Sequence, residues 1–406
     1  MEIIYKLENK IKHYDWGSPD YIPRLMGLKA GVADPWAELW MGCHPGSPSY
    51  LQIPSGKTSL GELIASGPRS FLGEKAEREF GSLPFLFKLL AAEKPLSIQA
   101  HPNKAQAREG FERENLAGFA SNAPDRNYKD ANHKPEIICA LTPFTGMCGF
   151  REPSEIHRLL ETFLNPAPAV LREGFAPILR TFEGGSASLR NFLSALFAVS
   201  ADVRKSLTKY ILEAGDSACG GFHSLIQSFA RLYPGDPSVI APLYLNVFRL
   251  EPGEAVFLDA GILHAYVQGF GVELMANSDN VLRGGLTPKY IDVPELLSVL
   301  DFTPFNPRVI KPESGFSEFT YCDSAGAALC KEFSLTAIHG TGGTAVSAPS
   351  GPAICIVTEG KAAVSAAEAG KSETVILQQG ESAFIAAESG RLLFSGDFTL
   401  YAASIP

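Results

Sequence analysis

The sequence predicts a mainly β protein with a helical insert: two small β-barrels or jelly rolls plus one α-helical subdomain. Three observations lead there. Short β-like runs punctuated by Gly and Pro fill residues 1–150 and resume near Leu243. The segment between them switches to helical spacing of apolar residues. The last hundred residues return to short alternating runs parted by glycines. The expected division is a first β domain from residues 1–150 and 238–304, a helical insert at 151–237, and a second β domain at 305–406.

Element by element, IIYKL (3–7), PSYLQI (48–53), PLSIQAH (95–101) and PEIICAL (135–141) read as strands, with SLGELIAS (59–66) as a short helix among them. In the insert, Phe192, Leu193, Leu196, Phe197, Val203, Leu207 and Ile211 recur at helical spacing. So do Phe222, Leu225, Ile226 and Phe229, and Pro234–Gly235 supplies a stop. LYLNVFRL (243–250) and EAVFLDA (254–260) restore the strand pattern. GPAICIVTEGKAAVSA, ETVILQQGESAFIAA and GRLLFSG continue it as short runs to the end.

Composition narrows the function classes. The chain has 406 residues, 45% hydrophobic and 19% charged, with a formal net charge of -9. It has no dense basic run, which argues against a nucleic-acid partner. The N-terminus has no apolar stretch of signal-peptide length, and no run approaches about 18 apolar residues, so neither export nor a membrane span is expected. Seven cysteines, dispersed and without CxxC pairing, read as free thiols. These features point to the cytoplasm and leave room for a small anionic substrate; the expectation for assembly is a monomer.

Three polar sites stand out. In PLSIQAHPNK, Ser97, Gln99 and His101 alternate with Leu96, Ile98 and Ala100. A strand therefore puts the serine, amide and imidazole on one face, either toward solvent or into a barrel. NHKPEII sets His133, Lys134 and Glu136 before an apolar strand, and EPGEAVFLDAGILHAY ends in His264. The spacing Gly253, Asp259-Ala260-Gly261, His264 is similar to the second motif of the cupin superfamily, with Asp259 where that pattern has Pro. Gln99 and His101 resemble the paired histidines of the first motif, with Gln in the first place. Glu136 would be its carboxylate, delayed by an insertion. Two imidazoles, one carboxylate and one amide oxygen suit a divalent metal. Beyond them, Glu273, Asp279, Arg283 and Lys289 share one Gly-flanked polar stretch. It reads either as a solvated loop or as cations placed for an anionic oxygen. Lys88, alone in FLFKLL, is either a snorkelling lysine or a phosphate contact.

HYDWGS (13–18), AELWMGCHPGSPS (37–49), LPFLFKLLAAEKPLSIQAHPNK (83–104), NHKPEI (132–137), GILHAY (261–266) and VELMANSDNVLRGGLTPKYIDV (272–293) together resemble the signature blocks of the type I mannose-6-phosphate isomerases. The resemblance implies one zinc ion held by Gln99, His101, Glu136 and His264, and a catalytic arginine at Arg283. It also implies substrate or phosphate contacts at Ser97, Lys88 and Lys289. Lys134, Glu273, His133 and Asp279 match proposed proton-transferring residues, and nothing in the sequence chooses between Lys134 and Glu273 as the base. Trp16 is either a pocket aromatic or a core tryptophan. The implied reaction interconverts mannose 6-phosphate and fructose 6-phosphate through a cis-enediol, between hexose phosphate metabolism and mannose use or GDP-mannose synthesis. The C-terminal part, whose only histidine after residue 305 is His339, resembles that family's metal-free second barrel. Two rival readings are a non-haem Fe(II) oxygenase using His101, Glu136 and His264, and a non-catalytic sugar-binding cupin.

Overall fold

The computed structural model describes residues 2–183, 188–213, 221–342, 346–348, 352–368, 371–389 and 391–406. Two antiparallel sheets dominate. An eleven-stranded sheet is built from strands between Lys10 and Ile310, and an eight-stranded sheet takes Ile4–Lys6 and the strands from Glu318 to Ser404. Two short pairings cross the expected domain limits. Ile4–Lys6 joins Ser382–Ile385 in the second sheet, while Val309–Ile310 adds to Ala255–Leu258 in the first.

Strand parity explains how the first sheet faces both ways. In Phe85–Ala92 every residue is buried. Phe87 and Leu89 enter one core with Ile137, Leu274, Phe384, Leu335 and Tyr401, which come from both sheets. Lys88 and Leu90 therefore turn to the opposite, inner face. A sheet covered on both sides has no wet face, so this strand reads as an apolar run interrupted only where chemistry is needed. Each fully buried Phe or Leu contributes about 1.5–3 kcal/mol.

The strand His264–Ala276 connects the two halves of the inner face. Its first residues pair with Gln99 and with Phe144–Phe150, and its later ones with Phe85–Ala92 and Glu136–Ala140. The register shifts between Tyr266 and Gln268. Gly269 follows with φ +132°, where a β-carbon would crowd Phe144. This bulge bends the strand so that one chain segment lines both halves.

The helical segment forms as the spacing predicts, with helices Pro153–Leu164, Ala169–Arg180, Ser188–Phe197, Ala201–Glu213 and His223–Leu232. Their apolar faces, including Phe163, Phe192, Leu207 and Phe229, share a core with Ile98, Ala100, Leu263 and Leu282. The insert thus backs the strands Ile98–Ala100 and Leu282–Gly285. The delay between His101 and Glu136 holds the helix Lys104–Leu116, started by a reciprocal cap between Asn103 and Gln106. In the C-terminal part the run GPAICIVTEGKAAVSA falls, from Ala353 onward, on a single strand. Ala353–Glu368 is one strand with a register shift between Val357 and Glu359, so Gly360 lies within a strand and not at a turn. Of the seven cysteines, six are free thiols, and Cys219 lies outside the described residues.

Candidate active site

Three neighbouring strands place the first group of polar side chains. His264 is the register partner of Gln99, and Gln99 of Arg283. Directly opposed residues on antiparallel strands point to the same side. The row His264, Gln99, Arg283 therefore faces away from the helical insert, which takes Ile98 and Ala100. On the other half of the inner face, Trp40 pairs with Lys88 and Lys88 with Glu273. Glu136 opens the strand Glu136–Ala140, opposite Met275.

These rows converge on Glu136. His264 Nε2 lies 2.9 Å from Glu136 Oε1, and His101 Nε2 lies 3.4 Å from Oε2. The Gln99 amide reaches 3.5 Å from His264 Nε2, and a half-turn of the amide presents its oxygen at the same point. Tyr266 Oη donates to Glu136 Oε1 at 3.1 Å. Lys134 Nζ lies 3.1 Å from Glu136 Oε2 and 3.5 Å from His101 Nε2. His101, Glu136 and His264 are each at most 1% exposed.

The donor chemistry of this cluster fits a metal cation. His101 Nδ1 bonds the Asn280 carbonyl at 2.7 Å, and His264 Nδ1 the Ile262 carbonyl at 2.8 Å. A carbonyl only accepts, so each Nδ1 carries the proton and each Nε2 a lone pair. Both lone pairs then point at a carboxylate, and acceptors alone repel one another. Glu136 Oε2 is buried without a hydrogen-bond partner, the Lys134 contact being an ion pair outside hydrogen-bond geometry. The three residues offer donor atoms within 4.8 Å of one another. Burial and the nearby Lys134 push His101 down to about 4, so a proton does not resolve the repulsion near neutrality. Burial would raise the Glu136 carboxyl, but Lys134, His264 and His101 outweigh it and hold it well below the usual carboxylate range.

The remaining predicted residues surround this centre. Lys88 Nζ is committed to Glu273 at 2.8 Å and Glu38 at 3.5 Å, and is 5% exposed. This disfavours the phosphate contact expected for Lys88, because its charge is already paired. Burial opposes that charge, but the two carboxylates win and raise its pKa. Burial raises Glu273, with Lys88 pulling the other way. Arg283 is half-buried, which pushes its pKa down. Lys289 is exposed, yet burial of its ammonium and the charges of Arg283 and Lys129 lower its pKa, so three cations gather here. Asp279 is held below its ordinary value mainly by the His44 hydrogen bond; the two sit 3.4 Å apart. Trp16 is half-buried at the edge of an inner apolar cluster and stacks on Tyr14. Ser97 is half-buried just before Ile98–Ala100.

Sequence reasoning passed over Glu38, Trp40, His44, Tyr266 and Asn280. Trp40 Nε1 donates to Glu38 at 2.8 Å, and His44 packs edge-on against Trp40. Tyr266 was legible in principle, since it lies two residues beyond His264 on the same strand and so shares its face. Asn280 was not. Its side chain accepts from the Lys129 and Asp130 amides and donates to the Asp130 and Asn132 carbonyls, while its own carbonyl orients His101.

Fold and donor set together define a metal-binding cupin-type barrel that carries an arginine and a lysine beside the donors. The model of the phosphomannose isomerase type I catalytic domain matches residues 4–153. Mannose-6-phosphate isomerase of Escherichia coli is 40% identical over 396 residues, covering 96% of this chain and 97% of that protein. A crystal structure of a lysine-to-alanine variant of phosphomannose isomerase from Salmonella typhimurium superposes with a TM-score of 0.88 at 36% identity over the whole of both chains. A holo, zinc-bound mannose 6-phosphate isomerase gives 0.87, also at 36% and full coverage. The chain belongs to the type I mannose-6-phosphate isomerase family.

Proposed function

We propose that this protein is a zinc-dependent aldose–ketose isomerase that interconverts mannose 6-phosphate and fructose 6-phosphate. The observation that carries the reading is the in-register row His264, Gln99, Arg283 beside the His101–Glu136 pair, in a chain similar to mannose-6-phosphate isomerases over nearly its full length. Gln99, His101, Glu136 and His264 would hold the zinc ion. When bound, it supplies a Lewis acid that polarises substrate oxygens.

The chain's own groups do the rest. A proton must leave the carbon beside the carbonyl and return to its neighbour through a cis-enediol. Lys134 is the favoured carrier, because its Nζ already sits against His101 and Glu136, whereas Glu273 is committed to Lys88. Arg283, in register with Gln99, stabilises the charge that develops on the enediolate oxygen. His133 and Asp279 lie on loops interlocked through Asp130, Ser278 and Asn280, and pass protons to and from the sugar oxygens. Lys289 and Ser97 tether the phosphate, Trp16 closes the edge of the pocket, and Lys88 fixes Glu273. Binding energy from the phosphate positions the reacting carbons.

Gln99 as a fourth donor weighs against the oxygenase reading, since such sites keep positions open for O2. Arg283 and Lys134 beside the donors weigh against a purely binding role. The free thiols suit the reducing cytoplasm. Among the described residues no helix is long and apolar enough to cross a membrane.

The test is fructose 6-phosphate formation from mannose 6-phosphate, before and after chelation and with zinc added back. Loss on chelation and recovery with zinc is the expected result. Inactivity of fully metal-loaded protein would refute the isomerase reading.

A further inference from the structure

The C-terminal β domain reaches the active-site loop through one side chain. Glu332 sits two residues before the strand Ser334–Gly340. Its neighbour Phe333 is 1% exposed in the core shared by the two sheets, and Cys330 packs against that core while its thiol donates to the Phe333 carbonyl. Glu332 is itself buried, 8% exposed, so it projects from a firmly held stretch of chain. Its Oε1 lies 2.6 Å from Nε2 of His133, 199 residues earlier in the sequence. His133 immediately precedes Lys134, which touches Glu136 and His101. The loop leading to it is clamped by Asn280 and by a hydrogen bond from Lys104 to Asn132.

A carboxylate facing one imidazole nitrogen decides which nitrogen bears the proton. Burial pushes the Glu332 carboxyl up, but its hydrogen bond with His133 outweighs that and holds it below the ordinary carboxylate value. It accepts from His133 Nε2–H, which leaves the lone pair on Nδ1.

We propose that Glu332 is a positioning residue of the isomerase: supplied by the C-terminal domain, it fixes the tautomer and orientation of His133, leaving Nδ1 as the ring nitrogen that exchanges protons with the sugar oxygens. The proposal rests on the reading above that His133 belongs to the catalytic machinery. It gives the C-terminal domain a part in the reaction besides covering the outer face of the first sheet.

The experiment compares full-length, zinc-loaded wild type, Glu332→Ala, Glu332→Gln and His133→Ala. It measures kcat, KM, bound zinc and the imidazole 15N shifts of His133. Carboxylate partners of metal-binding histidines are worth about 10–100-fold, and on that scale Glu332→Ala should lower kcat by roughly tenfold or more. KM should change less than about twofold and zinc should stay bound, since Glu332 acts on proton transfer and not on uniform binding. The 15N shifts should move from one Nε2–H tautomer to a mixture. Glu332→Gln keeps an accepting oxygen and should restore both the shifts and most of kcat. Unchanged kcat in Glu332→Ala overturns the proposal. If His133→Ala is then also unchanged, the catalytic reading of His133 falls with it; if His133→Ala is slow, only the role of Glu332 falls. A loss of kcat in Glu332→Ala without any change in the His133 shifts also overturns it.

Discussion

Replacing Lys88 with Met keeps the length and volume of the side chain and removes one buried charge. The magnitude follows from its two partners, Glu273 at 2.8 Å and Glu38 at 3.5 Å. At an effective dielectric of about 20, these attractions amount to roughly 6 and roughly 5 kcal/mol before dehydration is counted. Dehydrating the ammonium offsets much of that gain. Removing it, however, leaves two buried carboxylates facing each other, and the net loss of stability is then about 3–5 kcal/mol. The sign of the pH dependence is also determined. Burial already raises Glu273, and without Lys88 its pKa rises further. A carboxyl with a raised folded-state pKa opposes folding above that pKa, and the penalty lifts as pH falls through it. The Lys88→Met deficit should therefore be greatest near neutrality and narrow toward acid. Urea unfolding followed by tryptophan fluorescence at about pH 7.5 and about pH 5.5 measures it. A deficit below about 1 kcal/mol at the higher pH would mean that the cluster is water-screened and that the pairing argument is wrong. An equal deficit at both pH values would refute the assignment of the penalty to Glu273.

His264→Ala should lower zinc occupancy together with turnover, measured by metal analysis of the purified protein; stoichiometric zinc in the variant would remove His264 from the donor set. Arg283→Ala should keep its metal and lose about 10²–10³-fold in kcat, the scale of one lost oxyanion-stabilising donor; a near-normal rate would refute its role at the enediolate. Gly285→Ala should destabilise by about 1–3 kcal/mol through overpacking alone, because Gly285 has φ +130° and a β-carbon there would overlap Ser238. An unchanged thermal midpoint would show that the chain between Arg283 and the insert yields freely.

Much of the site was legible because strand parity is local. Ser97, Gln99 and His101 alternate with apolar residues, and Lys88 interrupts an apolar run at an inward position. Of the two glycines after Arg283, Gly285 admits Ser238 of the segment Pro237–Leu243, a demand of packing that the sequence does not show. Lys88 read as either a snorkelling lysine or a phosphate contact, because a lone cation in a sequence shows its charge but not its partners. Glu273 lies 185 residues away and meets it only through strand pairing. Glu38 and Trp40 were hidden in the same way.

By itself the sequence determined the class of fold, the helical insert, the residue types of the donor set and the family. Periodicity and short motifs are properties of adjacent residues, and a single chain carries them in full. Only the tertiary structure decided which charges are already paired, which nitrogen of His101 and of His264 is free, and that Asn280 and Glu332 hold the loop bearing His133 and Lys134. Those facts depend on register between strands and on contact between two sheets. Many of them join residues far apart in the chain, such as His101 with Asn280 and His133 with Glu332, where no local pattern links one to the other.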